Sequence, residues 1–206
     1  MPNLMYWSGW TLFRLISTIF FRVKITGQEH VPKTGGFILA SNHRAYADPP
    51  VVGSCFRRES FSFAKRELFE KKLFAWWLRS VNSIPVRRGA VDRETIKFAV
   101  EIIKRGYGLT LFPEGTRSRT DDFLPAKPGV GMIAMNAQCP IVPVFIDGSN
   151  HLFDCFLFKR RLKVRFGVPL SVEWLNSFET GRESYQQIAQ QVIERIKQLQ
   201  REVRSN

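Results

Sequence analysis

Short apolar segments alternate with longer segments of helical periodicity, and this alternation constrains the fold of the 206-residue chain more than any other feature. The apolar segments have the length and the branched or aromatic content of β-strands. They are residues 36–41, 60–65, 83–87, 108–112, 140–147 and 162–168. Helices are predicted at residues 50–56, 68–79, 92–105, 129–138 and 183–204. Strands that alternate with helices form parallel sheets. The pattern therefore predicts one α/β domain over residues 27–206, with a mostly parallel central sheet flanked by helices.

The first 26 residues form a different kind of segment, because residues 4–23 are apolar and aromatic over about the length that spans a bilayer. Arg14 lies in the middle of this segment, where a charge costs about 2.5–3.5 kcal/mol on insertion scales. The charge order and cleavage site of a signal peptide are missing. We predict an amphipathic helix at the membrane interface, as a peripheral or monotopic contact with the cytoplasmic face. The side chains expected to reach the acyl chains are Trp7, Trp10, Phe13, Phe20 and Phe21. The alternative is a helix that only covers the core of the protein itself.

The chain is strongly basic, with 31 Lys and Arg residues against 18 Asp and Glu residues and a net charge of +13. A basic surface attracts nucleic acid, anionic membranes or phosphorylated small molecules. The basic residues are scattered rather than concentrated on one helix, and no nucleic-acid motif is present. We therefore expect an anionic membrane or a phosphorylated substrate, and no nucleic acid.

The cysteines and histidines show no metal-binding spacing. Cys55, Cys139 and Cys155 form no Cys-x-x-Cys pair, and the histidines form no His-Glu-x-x-His motif. We expect reduced thiols and no dedicated metal site.

A polar loop with the sequence Ser-Asn-His-Arg-Ala-Tyr-Ala-Asp-Pro-Pro follows the first predicted strand. The carboxyl ends of strands carry the active-site loops of α/β proteins. His43 precedes Asp48 by five residues, and a turn that enters a helix can bring them together. Asp48 would then orient one imidazole nitrogen and leave the other free as a general base. A lone loop histidine is more often structural, so this pair is a hypothesis.

A second polar loop, Phe-Pro-Glu-Gly-Thr-Arg-Ser, follows the strand predicted at residues 108–112. Gly115 lets a ligand approach the backbone closely, and Thr116 offers a hydroxyl. Arg117 has the planar guanidinium that suits a phosphate, and Glu114 could accept hydrogen bonds from a polyol. The same composition is also typical of an ordinary polar turn.

Further cations stand at the ends of two other predicted strands, with Lys65 and Arg66 at one and Arg87 and Arg88 at the other. In a parallel sheet these groups share an edge with the two polar loops. Any one of them alone is most simply a solvated surface charge. Their convergence with a base favours a site for an anionic substrate.

Taken together, Asn-His-x-x-x-x-Asp at residues 42–48 and Phe-Pro-Glu-Gly-Thr-Arg-Ser at residues 112–118 resemble sequence blocks of the glycerolipid acyltransferase family. The resemblance extends over residues 27–166, and the segments 64–68 and 142–144 also fit it. Each block is modest alone, but their order and spacing are specific. The likeness is greatest to the branch that acylates 1-acyl-sn-glycerol-3-phosphate.

The resemblance implies that His43 is the general base and Asp48 its partner, with no covalent acyl-enzyme. The implied reaction moves a fatty acyl group from acyl-CoA or acyl carrier protein to the free sn-2 hydroxyl of the lysophospholipid acceptor, giving phosphatidic acid. No metal or cofactor is implied. The residues expected at the acceptor's glycerol phosphate are Glu114, Gly115, Arg117 and Arg88, with Thr116 and Lys65 added from their places in the same loops.

Two other functional classes stay open at this point. A non-catalytic lipid-binding module would explain the charge and the aromatic residues but would leave the His43–Asp48 pair without a role. A nucleic-acid-binding protein would explain the net charge alone.

Overall fold

The computed structural model describes residues 4–86 and 93–205, and its centre is a seven-stranded sheet of order β1-β7-β6-β2-β5-β3-β4. The strands are β1 Lys24–Thr26, β2 Phe37–Ser41, β3 Ser60–Lys65, β4 Ser83–Val86, β5 Gly108–Leu111, β6 Ile141–Asp147 and β7 Lys163–Phe166. All neighbouring pairs are parallel except β6 and β7, which are antiparallel. The predicted α/β class, the mostly parallel sheet and all six predicted strands are confirmed. The sequence analysis missed β1, because three residues at a sheet edge are too short to show a periodicity.

Helices cover both faces of the sheet. They are α1 Leu4–Ile19, α2 Asp48–Gly53, α3 Lys72–Ser80, α4 Arg93–Lys104, α5 Gly129–Ala137, α6 Leu152–Phe156, α7 Val172–Leu175 and α8 Arg182–Arg204. The expected cap of α4 at Asp92 lies outside the described residues. Gly106 follows that helix with a φ of +92°, the left-handed conformation that ends a helix without penalty for glycine. The short α6 and α7 were not predicted.

Two apolar clusters, one on each face of the sheet, form the core. Alternate residues of β2 enter opposite clusters, with Ile38 on the side of α4, α5 and α8 and Leu39 on the side of α2. The predicted apolar stripe of α8 lies in the first cluster and is buried along its whole length. Its members are Ile188, Val192, Ile196, Leu199 and Val203.

The side chain of Asn42 prolongs the pairing of β2 with β6 beyond the last residue of β2. Its amide nitrogen donates to the carbonyl of Ile146 at 2.9 Å, and its carbonyl oxygen accepts the N–H of the same residue at 2.8 Å. Buried backbone groups need such partners. The first polar loop therefore leaves the sheet from a fixed point, directly before His43.

Helix α1 packs one face, which includes Tyr6 and Ser17, against the domain and leaves several large apolar side chains exposed. Trp10 donates to the carbonyl of Phe56 at 2.7 Å, and Ser17 is buried. The large apolar side chains Leu4, Leu12, Leu15, Ile19 and Phe20 are exposed. Trp10 and Phe13, which we expected at the lipid, instead contact the domain, because the hydrogen bond of Trp10 and the packing of Phe13 on Trp77 fix the rotation of the helix. Among the described residues, no helix combines the length and hydropathy that crossing a bilayer requires.

Candidate active site

His43 and Asp48 form a hydrogen-bonded pair where β2 leads into α2. The His43 Nδ1 lies 2.8 Å from Asp48 Oδ2, and Asp48 is fully buried. The same carboxylate oxygen accepts the backbone N–H groups of Arg44 at 2.6 Å and Ala45 at 2.8 Å. These bonds wrap the turn around the carboxylate. Because an ionised carboxylate only accepts hydrogen bonds, Nδ1 carries the proton and Nε2 is left as the basic nitrogen.

The second polar loop supports the first by hydrogen bonds to the backbone of His43. The His43 N–H donates to Glu114 Oε1 at 3.2 Å, and the His43 carbonyl accepts the N–H of Ser118 at 2.8 Å. The imidazole also stacks on the ring of Phe112, with 4.0 Å between centroids and 23° between planes. The orientation of His43 is therefore fixed from two loops that are far apart in sequence.

Glu114 lies inside this structure rather than at its surface. Its second oxygen, Oε2, accepts the N–H of Leu124 at 2.9 Å, and the residue is buried. Burial raises the pKa of this carboxyl, while the two backbone hydrogen bonds oppose the shift. Both oxygens are thus engaged with the chain itself.

A cavity of about 230 Å³ opens on the α5 side of His43. Lys65, Gly115 and Thr116 line it, as does Lys127, and α5 begins at its wall with Gly129. Gly115 has a φ of +67°, which favours glycine, and a Cβ there would lie 2.7 Å from the Cδ of Lys127, so a larger residue would displace this lysine side chain. Ammonium groups and a helix N-terminus both favour an anion. We call this the cationic cavity.

A larger cavity of about 580 Å³ lies on the opposite face of the sheet, between α1, α2 and α3. Its walls are largely apolar and include Trp10, Phe13, Phe74 and Trp77. We call this the apolar cavity. The two cavities share the lining residues His43, Phe63, Ala64, Lys65 and Thr110. The basic histidine therefore stands where an apolar space meets a cationic one.

Arg117 is not among the lining residues of either cavity. The guanidinium of Arg117 lies 3.6 Å from the ring centroid of Tyr46, in a cation–π contact, and its buried Nε has no hydrogen-bond partner among the described residues. Arg88 lies outside the described residues.

Arg44 connects the His43 loop to the chain that follows Arg117. Its guanidinium forms an ion pair with the carboxylate of Asp121 and donates to the Asp121 carbonyl at 2.7 Å. Arg204, at the end of α8, pairs with the other carboxylate oxygen of Asp121 at 2.9 Å. This cluster lies outside the two cavities and ties the C-terminal helix to the loop.

Lys127 and Thr110 line the cavities but were missed from the sequence. Lys127 stands in a loop 10 residues after Arg117, where no periodicity marks it, and the hydrogen bond from its N–H to the Pro113 carbonyl, at 2.8 Å, brings it to the cavity. Thr110 was read as an ordinary strand residue. A polar side chain between Leu109 and Leu111 in a central strand was the available signal, because such strands are otherwise apolar. No group of three or more metal-ligating side chains occurs among the described residues.

Known proteins are similar to this chain in sequence and in fold. A family model described as "Acyltransferase" matches residues 22–147. A 1-acyl-sn-glycerol-3-phosphate acyltransferase of Bacillus subtilis is 30% identical over 149 residues, which is 72% of this chain and 73% of that protein. The alpha enzyme of the same name from Mus musculus is 29% identical over 161 residues, 75% of this chain and 56% of the relative.

The fold is similar to the crystal structure of the 1-acyl-sn-glycerophosphate (LPA) acyltransferase from Thermotoga maritima. The TM-score is 0.74 at 25% identity, and the match covers 98% of this chain and 79% of that one. The family model spans more than half of the chain, and the similarity to the Bacillus protein extends over nearly three quarters of both sequences. The chain therefore belongs to the acyltransferase family.

Proposed function

We propose that the protein transfers a fatty acyl group from a thioester donor, acyl-CoA or acyl carrier protein, to the free sn-2 hydroxyl of 1-acyl-sn-glycerol-3-phosphate, giving phosphatidic acid. The observation that carries the proposal is the oriented His43–Asp48 pair at the meeting point of a cationic and an apolar cavity. A lysophospholipid combines a phosphate with an alkyl chain and so needs both environments. The names of the relatives support the same substrate.

His43 acts as the general base. Its Nε2 takes the proton from the sn-2 hydroxyl while that oxygen attacks the thioester carbonyl, and the tetrahedral intermediate then expels the thiolate. The imidazolium returns the proton to the leaving sulfur, so atoms and charge balance. Asp48 stabilises the imidazolium through the bond to Nδ1.

The transfer is direct, without a covalent acyl-enzyme. None of the three cysteines is a lining residue of either cavity, and burial raises the pKa of the Cys55 thiol to about 12. A thiol so far from ionisation is a poor nucleophile at neutral pH. If the acceptor hydroxyl itself attacks the thioester, the general base His43 is sufficient for acyl transfer and no enzyme nucleophile is needed.

The cationic cavity holds the acceptor's phosphate. Lys127 and the N-terminus of α5 supply positive charge there, beside Gly115 and Thr116, and Lys65, whose ammonium pairs with Glu67 at 3.0 Å, lines the same cavity. Arg117 and Arg88 are further cations for the same phosphate, as the family resemblance implies, and Glu114 acts by holding the His43 loop. The apolar cavity takes a fatty acyl chain, because its lining offers mainly carbon surface at the required place.

We place residues 1–26 at the cytoplasmic face of the membrane as a monotopic contact, with residues 27–206 as the acyltransferase domain. The outward-facing side chains of α1 support this placement, since Leu12, Leu15 and Ile19 are all more than half exposed. A surface helix of a soluble globular protein would turn such residues toward the core. The lipid acceptor and the product both belong to that membrane.

The decisive experiment measures thioester consumption by the purified protein with a panel of lysolipids, with the products identified by mass spectrometry. His43→Ala should lower turnover by at least about 10²-fold. His151→Ala is the matched control, because His151 also lies near a carboxylate, at 3.6 Å from Asp154, but away from both cavities. Comparable activity of folded His43→Ala and wild-type protein would refute the mechanism. A wild-type protein that binds lysolipid without consuming thioester would be a lipid-binding module instead.

A further inference from the structure

The segment of residues 152–161, which contains α6, exposes an unusual amount of apolar surface. Phe153 is 73% exposed and Phe158 60%, and Phe156 and Leu157 are also classed as exposed. Contiguous exposed apolar surface is rare on soluble monomers unless it binds something. We call residues 152–161 the α6 segment.

The α6 segment is held in a defined conformation. The N–H of Phe158 donates to the Cys155 carbonyl at 3.1 Å, and the carbonyl of Asp154 accepts the N–H of Lys159 at 2.9 Å. Within the segment, the side chain of Cys155 points inward and is fully buried. Phe158 has a φ of +61°, which is unfavourable for a bulky side chain. The backbone therefore holds the Phe158 ring at the surface despite this cost.

The exposed rings continue the apolar face of α1. Phe20, directly after α1, stacks on Phe156 with 6.0 Å between centroids, and the guanidinium of Arg22 lies 4.7 Å from the ring centroid of Phe158. Arg22 also donates to the carbonyl of Phe158 at 2.9 Å. The outward face of α1 and the α6 segment therefore form one continuous surface, although more than a hundred residues separate them in sequence.

Positive charge borders the rings. Lys159, Arg160 and Arg161 are exposed, and none of them forms an ion pair with a carboxylate among the described residues. Aromatic rings beside unpaired Lys and Arg match the interface of an anionic bilayer, where rings insert at the acyl boundary and cations meet lipid phosphates. The acidic surface of a protein would match the cations but not the exposed phenylalanines.

We propose that the α6 segment is a second membrane-contact element, which inserts Phe153, Phe156 and Phe158 into an anionic bilayer beside α1 while Lys159, Arg160 and Arg161 bind lipid phosphates. The inference rests on the proposed function, because it assumes that α1 already lies at the membrane. One helix on a bilayer leaves the protein free to roll about the helix axis. A second contact beside the end of α1 fixes that rotation, and with it the direction in which the apolar cavity opens.

The test is co-sedimentation of the full chain with vesicles of phosphatidylcholine alone or with phosphatidylglycerol. The triple variant Phe153→Ser, Phe156→Ser, Phe158→Ser should bind anionic vesicles at least about tenfold more weakly than wild type. Phe153→Ser alone, which removes no ring contact of the described residues, should weaken binding in the same direction. Phe98→Ser is the matched control, because Phe98 is a 46% exposed phenylalanine on α4.

The cationic part is tested separately with Lys159→Gln, Arg160→Gln, Arg161→Gln. This variant should lose at least about tenfold in binding to anionic vesicles and much less to phosphatidylcholine, and high salt should abolish the difference. Circular dichroism checks that each variant is folded. Unchanged vesicle binding in the folded variants, or an equal loss in Phe98→Ser, would overturn the proposal.

Two further measurements separate this proposal from the proposed function. Leu12→Ser, Leu15→Ser tests α1, and a loss of binding there with none in the α6 variants refutes the second contact alone. Turnover with a short-chain lysolipid below its micellar concentration should be unchanged in the α6 variants. A change seen only with acyl carrier protein as donor would assign the patch to that acidic partner and refute the lipid contact. Absence of thioester consumption in wild type would refute the proposed function and leave the vesicle result standing.

Discussion

The two cavities that meet at His43 differ in size, wall and position, and the difference explains the site better than either cavity does alone. The cationic cavity is the smaller and is lined by β3, β4, β5, α4, α5 and the loop after β5, whereas the apolar cavity is more than twice as large and lies among helices α1, α2 and α3. The sheet edge separates them. An acyl transfer between lipids must join a charged headgroup to an alkyl chain, and here the base stands between the two environments. Substitutions in each cavity should therefore have separable effects.

The largest effect is expected where the cavities meet. Asp48→Asn should lower kcat by about 10²- to 10⁴-fold, because the carboxylate that orients Nδ1 and stabilises the imidazolium is lost. Initial-rate kinetics with saturating donor and acceptor measure it. Asp122→Asn, an exposed position, is the control. A kcat that changes by less than threefold would show that the reaction does not depend on the orientation of His43 by Asp48.

The next largest effect is expected in the cationic cavity. Lys127→Gln should raise the KM for the phosphate-bearing acceptor about tenfold or more, because hydrogen bonds between charged groups contribute about 1.5–3 kcal/mol. The KM of the donor should be unaffected, and Lys104→Gln on the exposed side of α4 should change neither. Arg117→Gln and Arg88→Gln in the same assay rank the predicted cations against the one that the structure adds. Equal changes in the KM values of acceptor and donor would contradict the assignment of the acceptor's phosphate to the cationic cavity.

A smaller effect is expected in the apolar cavity. Gly53 lines it, and a Cβ there would meet only Ser60 Oγ, at 3.9 Å, so a larger side chain extends into the cavity. Gly53→Val should shift the acyl preference toward shorter chains, by about fourfold for each methylene excluded, which corresponds to about 0.8 kcal/mol. Competition between thioesters of different length measures this. Gly53→Ala, which adds a single carbon, is the control, and an unchanged preference in the Val variant would place the chain elsewhere.

The smallest effect is expected outside both cavities. The hydrogen bond from Arg44 holds the pKa of Asp121 below its ordinary value, assisted by Arg204. A depressed pKa adds stability above the unfolded pKa, and this stability is lost as the pH falls through the folded pKa. Asp121→Asn should therefore lower the free energy of unfolding by less than about 1 kcal/mol at pH 7, because the carboxylate is exposed. In denaturant titrations the difference from wild type should begin to shrink near pH 4, about the ordinary Asp pKa, and vanish only below the lowered pKa of folded Asp121.

The terminal helices show what a periodic pattern can and cannot predict. In α8 the stripe from Ile188 to Val203 was predicted as the buried face and lies in the core. In α1 the aromatic residues were expected at the lipid, but Trp10 and Phe13 contact the domain. The periodicity of apolar residues predicts which side chains share one face of a helix. Which face packs against the domain depends on the groups that the domain offers, such as acceptors for hydrogen bonds. The Phe56 carbonyl, which accepts from Trp10, has no signature in the sequence of α1.

The candidate site shows the same division. The spacing of His43 and Asp48 left their pairing a hypothesis, which the family resemblance favoured, and the structure brings Nδ1 and Oδ2 within 2.8 Å. The contact of Glu114 with the His43 backbone joins residues 71 positions apart, and no local pattern could predict it. Arg117 was expected at a phosphate because of its guanidinium, whereas the structure stacks that group on Tyr46. Lys127 reaches the cationic cavity because its backbone N–H donates to the carbonyl of Pro113, in the second polar loop.

The sequence by itself determined the α/β class, the strands at the centre of the sheet, the His43–Asp48 pair and the basic, aromatic character of the surface. These depend on short-range periodicity, turn chemistry and composition, which act over a few residues. Only the tertiary structure decided that two cavities of opposite character share one histidine, and that the end of α1 and the α6 segment form one surface. Such features arise when distant segments pack, and the free energy that selects them belongs to contacts between residues that the sequence keeps far apart.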